Sequence, residues 1–226
     1  MSADAGRELI DPATEAVITT IADTALSEID AVVRAAADAG LTWGSTLPGE
    51  RATLLHRLAD AIEAEADAIC ALEVEETGKP WTVMRDGELP FALDNLRFFA
   101  GAARSVDGTA AGIFSAGYTS MLIRRPAGVV VAITPWNFPL IMAIWKVGAA
   151  LAAGCTVILK PAPSTPRTSI RLAELAREVG FPTGVLTVVT GDAAVGEALV
   201  THPLTDMITL TGSTGTGRRI MTKPLS

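Results

Sequence analysis

The sequence predicts an α/β fold: a helical N-terminal layer followed by a doubly wound parallel sheet. Three observations predict it. From residue 128 onward, short β-branched apolar runs alternate with segments of helical periodicity. The first hundred residues instead carry amphipathic stripes, with apolar side chains three and four apart. Finally, 226 residues that are 49% hydrophobic and 19% charged can bury a core without disulfide or metal staples. The organisation that follows is a helical part over 1–104, a hairpin arm over 105–125 and a sheet-forming part over 126–226.

Element by element, residues 27–39 place Ile29, Val32, Val33 and Ala36 on one helical face, with Gly40 as the expected stop. Residues 48–77 read as one long helix striped by Leu54, Leu55, Leu58, Ile62, Ala66, Ile69 and Leu72. Gly78 and Pro80 end it in the usual order. Glu73, Glu75 and Glu76 near that end read as a solvated face, since nothing nucleophilic or metal-binding accompanies them. A third helix over 86–103 turns Leu89, Leu93, Leu96 and Phe99 inward. The Gly-, Ala- and Ser-rich stretch 105–125 reads as an exposed hairpin. Strands at 128–134, 156–159, 185–189 and 207–210 then alternate with helices at 140–153, 168–179 and 195–201. Such alternation makes a parallel sheet covered on both faces.

Several function classes fall away. A net charge of −7 opposes a nucleic-acid backbone as partner. Cys70 and Cys155 lie far apart with no CxxC and no nearby His, so neither a disulfide framework nor a zinc site is expected and a reducing cytoplasm is the simplest home. The charged N-terminus (Asp4, Arg7, Glu8, Asp11) does not read as a secretory leader. Residues 139–159 are apolar enough to suggest a membrane span, yet Lys146 and Gly154 interrupt them. Helix, glycine stop and buried strand explain the segment, and no membrane is expected. His56 and His202 have no titrating partner in sequence.

Ligands of doubly wound sheets bind at the carboxyl ends of strands. Three loops occupy such ends: Thr134-Pro135-Trp136-Asn137-Phe138-Pro139, Lys160-Pro161-Ala162-Pro163 and Thr211-Gly212-Ser213-Thr214-Gly215-Thr216-Gly217. The last lacks GxGxxG spacing and fits either a phosphate cradle, through its amides and the Ser213 hydroxyl, or a flexible turn. Lys160 fits either a cation for ribose or phosphate or a surface lysine capping a strand. Asn137, held between two prolines, fits either an oxyanion donor or the N-cap of the next helix. Phe138, Met142 and Trp145 share one helical face, and such a stripe is more often core than a substrate channel.

The strings PWNFP, LKPAPSTP and LTGSTGTG, with Glu76-Thr77-Gly78-Lys79-Pro80 and Asp11-Pro12-Ala13-Thr14 before them, together resemble the aldehyde dehydrogenase superfamily. The resemblance reaches from residue 11 to about residue 221. It implies a Rossmann-like cofactor domain, NAD or NADP as cofactor and a small-molecule aldehyde oxidised to a carboxylate through a Cys-bound thiohemiacetal. By the same resemblance Asn137 is the oxyanion donor and Lys160 contacts the adenosine ribose. Gly212, Ser213 and Thr216 belong to the pyrophosphate loop. Thr134, Pro135 and Trp136 line the nicotinamide side, Gly191 the adenine side, and Phe138, Met142 and Trp145 the aldehyde tunnel. The 105–125 arm resembles the one through which family members form homo-oligomers, and Tyr118 to Met121 with Arg124-Arg125-Pro126 is similar to the aminobutyraldehyde or succinate-semialdehyde branch.

Two departures from the family pattern stand out. Pro163 occupies the place where many NAD-preferring members carry a Glu on the ribose, which opens the site to NADP. The GQxC-type nucleophile and ELGG-type base motifs do not occur in the 226 residues, and Cys70 and Cys155 read as core thiols. The expectation is therefore a cofactor-binding portion truncated before the catalytic domain and inactive alone. The alternatives are a non-catalytic nucleotide-binding module or the remnant of a shortened gene.

Overall fold

The computed structural model describes residues 6–105, 108 and 111–222. It opens on an antiparallel hairpin, β1 (Arg7–Ile10) and β2 (Val17–Ile21), where only helices are expected from the sequence. The Asp11 carboxylate makes the turn by accepting the amides of Ala13 and Thr14 at 2.7 and 3.3 Å. Helix α1 (Ile29–Trp43) runs through Gly40, the expected stop. Trp43 is buried with its ring 5.4 Å from that of Phe181, so packing of the last turn overrides the glycine's weak helix propensity.

The single helix predicted over 48–77 is two helices, α2 (Pro48–Ala64) and α3 (Ala66–Thr77), broken at Glu65. A π-helical turn, Val83–Glu88, leads into α4 (Leu89–Ala102). The hairpin β3 (Gly112–Ser115) and β4 (Tyr118–Ser120) is exposed as predicted, although positions 106, 107, 109 and 110 of the arm lie outside the described residues. There follow β5 (Val129–Ile133), α5 (Pro139–Ala152), β6 (Thr156–Lys160), α6 (Arg167–Glu178), β7 (Leu186–Val188), α7 (Ala193–Val200), β8 (Met207–Leu210) and α8 (Thr214–Met221). Glu65 at the α2–α3 break grips Arg171 of α6 at 2.6 and 2.8 Å, and so ties the break to the next layer.

The last four strands form one parallel sheet in the order β7-β6-β5-β8. Side chains alternate between its faces. Val130, Ala132, Val157 and Leu159 face α5 and α6, with α2 and α4 stacked behind. Val129, Val131 and Ile158 pack with Ile29 and Val33 of α1 and Val195 and Leu199 of α7. The chain winds outward from β5 through β6 to β7, then returns to the opposite side of β5 as β8. That reversal opens a crevice at the carboxyl ends of β5 and β8. Helix α5, which begins the suspected span, has only 14 residues. Among the described residues no helix is long and apolar enough to cross a membrane.

The glutamates of α3 are not a solvated face. Glu73 is 0% and Glu76 4% exposed. Glu73 Oε2 accepts the Leu140 amide at 3.1 Å in the first turn of α5, and both oxygens of Glu76 accept the Arg167 amide at 3.3 Å at the start of α6. Neither α5 nor α6 has a side-chain cap of its own. The two carboxyls therefore satisfy helix N-termini that would otherwise be orphaned. Burial pushes Glu73 above the usual carboxylate range and Glu76 up to about 8. Only Glu75 behaves as expected, exposed and paired with Arg167.

A candidate cofactor cleft and an adjoining tunnel wall

Lys160 ends β6 and is 5% exposed. Its ammonium donates to the Gly191 carbonyl at 2.7 Å and, weakly, to the Pro161 carbonyl at 3.5 Å. Burial pulls its pKa down, and the carboxylates of Asp192 and Asp23 oppose that. This disposes of the surface-lysine alternative: the lysine is desolvated and solvated chiefly by one backbone carbonyl. An ammonium has three donors, so capacity remains for a ligand. Two glycines pack closely beside the lysine and the carbonyl that holds it. Gly191 has φ 141, and a Cβ there would stand 2.6 Å from Val195 Cγ2. A Cβ on Gly196 would come within 3.4 Å of Lys160 Cδ and Cε.

Lys160 lines a cleft of about 520 Å³ together with Ile133, Pro163, Asp192, Thr216 and Arg219. The cleft lies at the carboxyl ends of β5 and β6, flanked by α7 and α8. Of the sequence-predicted contacts, Lys160, Pro163 and Thr216 line it directly, and Gly191 acts through the lysine. Asp192, Gly196 and Arg219 were missed by the sequence reading. The only local signal was a Gly-Asp pair before a helix, and Asp192 is indeed the N-cap of α7, accepting the Ala194 amide at 2.8 Å. Gly212 and Ser213 sit exposed between β8 and α8. Ser213 caps α8: its Oγ accepts the Thr216 amide at 3.2 Å and lies 3.0 Å from Thr216 Oγ1. The loop is thus a structured helix entry, not a loose turn.

The segment after β5 leaves this cleft. The Thr134 amide donates to the Lys160 carbonyl at 3.1 Å, while the Thr134 hydroxyl is buried without a partner. Pro135 is half-buried, and Trp136, Asn137 and Phe138 are exposed. The N-cap of α5 is Phe138, with no side-chain cap bond, so Asn137 does not cap the helix. Among the described residues its amide makes no hydrogen bond and is free to donate.

Phe138 and Trp145 are exposed, and Met142 between them is half-buried against the edge of the core. They wall a second cleft of about 490 Å³ with Val83, Glu88 and Phe91, whose ring is 6.0 Å from that of Trp145. Lys79 stands 5.2 Å over the Phe138 ring and pairs with Glu73 at 3.0 Å and Glu88 at 2.5 Å. The two clefts share no lining residue. The 134–138 loop joins them, with Asn137 between.

Other candidates fall outside these clefts. Both cysteines are buried, and burial pushes the Cys70 thiol up to about 11. His202 does have an acidic neighbour: Nδ1 accepts the Leu204 amide at 3.1 Å, leaving Nε2 to face Asp30 Oδ1 at 3.2 Å. That contact ties α1 to the loop before β8. Among the described residues no group of His, Cys, Asp and Glu is arranged to hold a metal.

Comparison with known proteins agrees with this geometry. The model of the aldehyde dehydrogenase family matches residues 1–226. The chain is 42% identical over 218 residues to the NADP/NAD-dependent aldehyde dehydrogenase PuuC of Escherichia coli (strain K12), covering 95% of this chain and 44% of that protein. It is 40% identical over 215 residues to the mitochondrial succinate-semialdehyde dehydrogenase of Rattus norvegicus, covering 93% of this chain and 41% of the relative. The NAD+ complex of an aldehyde dehydrogenase from Bacillus cereus superposes with a TM-score of 0.92 at 40% identity, over 96% of this chain and 44% of that one. The chain thus spans less than half the length of the relatives it matches. With its sheet order, its strand-end lysine and this match over its whole length, the chain belongs to the aldehyde dehydrogenase family.

Proposed function

We propose that this chain supplies the cofactor-binding half and the oxyanion donor of an NAD(P)-dependent aldehyde dehydrogenase, an oxidoreductase that converts a small aldehyde to its carboxylate. The observation that carries the reading is the buried Lys160 ammonium at the carboxyl end of β6, next to the strand at which the sheet order reverses, with one close backbone partner and donor capacity to spare. The residues present fit a dinucleotide. Lys160 would hydrogen-bond the adenosine ribose, with Pro163 and Thr216 against the adenosine. The amides around Gly212 and Ser213, at the positive end of α8, would meet the pyrophosphate. Thr134, Pro135 and Trp136 would flank the nicotinamide. When bound, the nicotinamide supplies a hydride acceptor.

Toward the aldehyde, the chain's own contribution is electrostatic and steric. The free Asn137 amide donates to oxygen as negative charge develops on it, a contact whose loss costs about 10²- to 10³-fold in rate elsewhere. The wall of Phe138, Met142 and Trp145 excludes water and positions the apolar body of the substrate. No thiol among the described residues is placed as a nucleophile, since Cys70 and Cys155 are buried and inert. Supplied by itself, the 226-residue chain is expected to bind dinucleotide by calorimetry while showing no aldehyde-dependent reduction of it. Absence of binding at millimolar dinucleotide would refute the cofactor role, and turnover abolished by Cys70→Ser would refute the inert-thiol assignment. The inert thiols also favour a second reading, a module that only holds nucleotide.

The arm is proposed to pair with a second copy of the chain. Its Ile113 and Phe114 are each 78% exposed and Tyr118 73%, a patch of apolar side chains on a two-stranded ribbon. Sedimentation should show a dimer or larger species that Phe114→Ser dissociates; a wild-type monomer at high concentration would reject the pairing.

A further inference from the structure

We infer that the cleft selects a dinucleotide carrying a 2′-phosphate on its adenosine ribose, and that Arg219 makes the selection. This deepens the cofactor role proposed above and rests on it. Arg219, on α8, lines the same cleft of about 520 Å³ as Lys160 and Pro163. Its neighbour Arg218 does not. Among the described residues the Arg219 guanidinium has no hydrogen bond and no carboxylate partner; only its backbone carbonyl is engaged, by the Thr222 hydroxyl at 2.9 Å. An unpaired guanidinium presents a planar fork of donors that matches phosphate oxygens two at a time.

The cleft's other charges support a dianion there. Lys160 is a second, buried cation held against the Gly191 carbonyl without a direct carboxylate partner. Two acids also line the cleft, Asp192 and Glu197. The Asp192 carboxylate is committed to the N-terminus of α7, where its charge is offset by the helix dipole. Glu197 sits exposed one turn along that helix. The loop leaving β6 places Pro163 against the cleft. A carboxylate there would accept from a ribose 2′-hydroxyl and repel a 2′-phosphate. Proline does neither, and it leaves the two cations to decide.

The test is calorimetric titration of the whole chain with NADP and with NAD. Wild type is expected to bind NADP about 10- to 100-fold more tightly than NAD, the worth of one charge-assisted contact. Arg219→Ala should bring NADP down to the NAD affinity and leave NAD itself unchanged, Arg219→Lys should recover part of the preference, and Arg218→Ala should keep all of it. Equal wild-type affinities, or a preference that survives Arg219→Ala, would overturn the selection while leaving the cofactor role standing. Failure to bind either dinucleotide would overturn both.

Discussion

Lys160→Met is expected to weaken dinucleotide binding by about 10- to 100-fold, the range for losing hydrogen bonds to a charged donor, with little change in stability. The asymmetry comes from where the lysine sits. The residue is 5% exposed, and among the described residues its ammonium has the Gly191 carbonyl as its one close acceptor, 2.7 Å away. Burying that charge already costs the folded state, as the downward displacement of its pKa records. Methionine keeps the unbranched stem that runs beside Gly196 and removes the desolvated charge. It also strands the Gly191 carbonyl, at about 1–3 kcal/mol. The two effects oppose, and thermal melting should move by only a few degrees. Calorimetry and a melt on the same samples check both halves. A large loss of stability without a change in affinity would mean that the lysine is structural.

The second large effect is on stability, and it depends on pH. Among the described residues Lys79 is the one cation shared by two buried carboxylates, Glu73 and Glu88. Lys79→Met leaves both without a counter-charge, and breaking a buried pair in this way costs about 3–5 kcal/mol. The loss should be near its full size at about pH 8 and much smaller at about pH 5, because a buried carboxyl can escape the penalty by taking a proton. Glu73 is already held above its unfolded value by desolvation. A raised folded pKa means that the native state binds more protons than the unfolded chain, so the stability it confers is full at low pH and lost as pH rises through the folded value. Wild type shares the same sign through Glu76, whose window runs from the ordinary 4.5 up to about 8. Denaturant melts across that range should show a falling stability in wild type and a steeper fall in Lys79→Met. Adding Glu73→Gln to the mutant should recover part of the loss at high pH. A mutant curve parallel to wild type would show that Lys79 does not neutralise these acids.

The effect reaches the site as well as the core. Glu73 holds the Leu140 amide at the start of α5, and Lys79 lies over the Phe138 ring. One cluster therefore fixes the C-terminal side of the segment that carries Asn137.

What could be read from the sequence was what repeats locally. The β-branched runs at 129–133 and 156–160 and the helices between them follow from periodicity alone, and parallel order with both faces covered follows from their alternation. Lys160 and the two loops beside it were legible as strand ends of such a sheet. Longer-range features were not. Glu73 and Glu76 sit on α3, yet their partners lie 67 and 91 residues away, so no window shows that they cap other helices. Gly40 reads as a helix stop until Trp43 is seen buried against Phe181. The α2–α3 break at Glu65 is tied to Arg171, 106 residues on. Three ambiguities were ones of geometry: Asn137 as cap or donor, the 138–145 face as core or wall, and Lys160 as surface or buried. Burial and partners show that Asn137 is not the helix cap, that Phe138 and Trp145 are exposed and that Lys160 is buried.

The most direct test of the central claim is to map dinucleotide binding onto backbone amides by heteronuclear NMR of the isotope-labelled chain. Saturable shifts are expected at Thr134, Lys160, Gly191, Asp192 and across Gly212 to Arg219, with α2 and the β3–β4 arm silent. Shifts confined elsewhere, or none at millimolar NAD and NADP, would contradict the assignment of this cleft as the cofactor site.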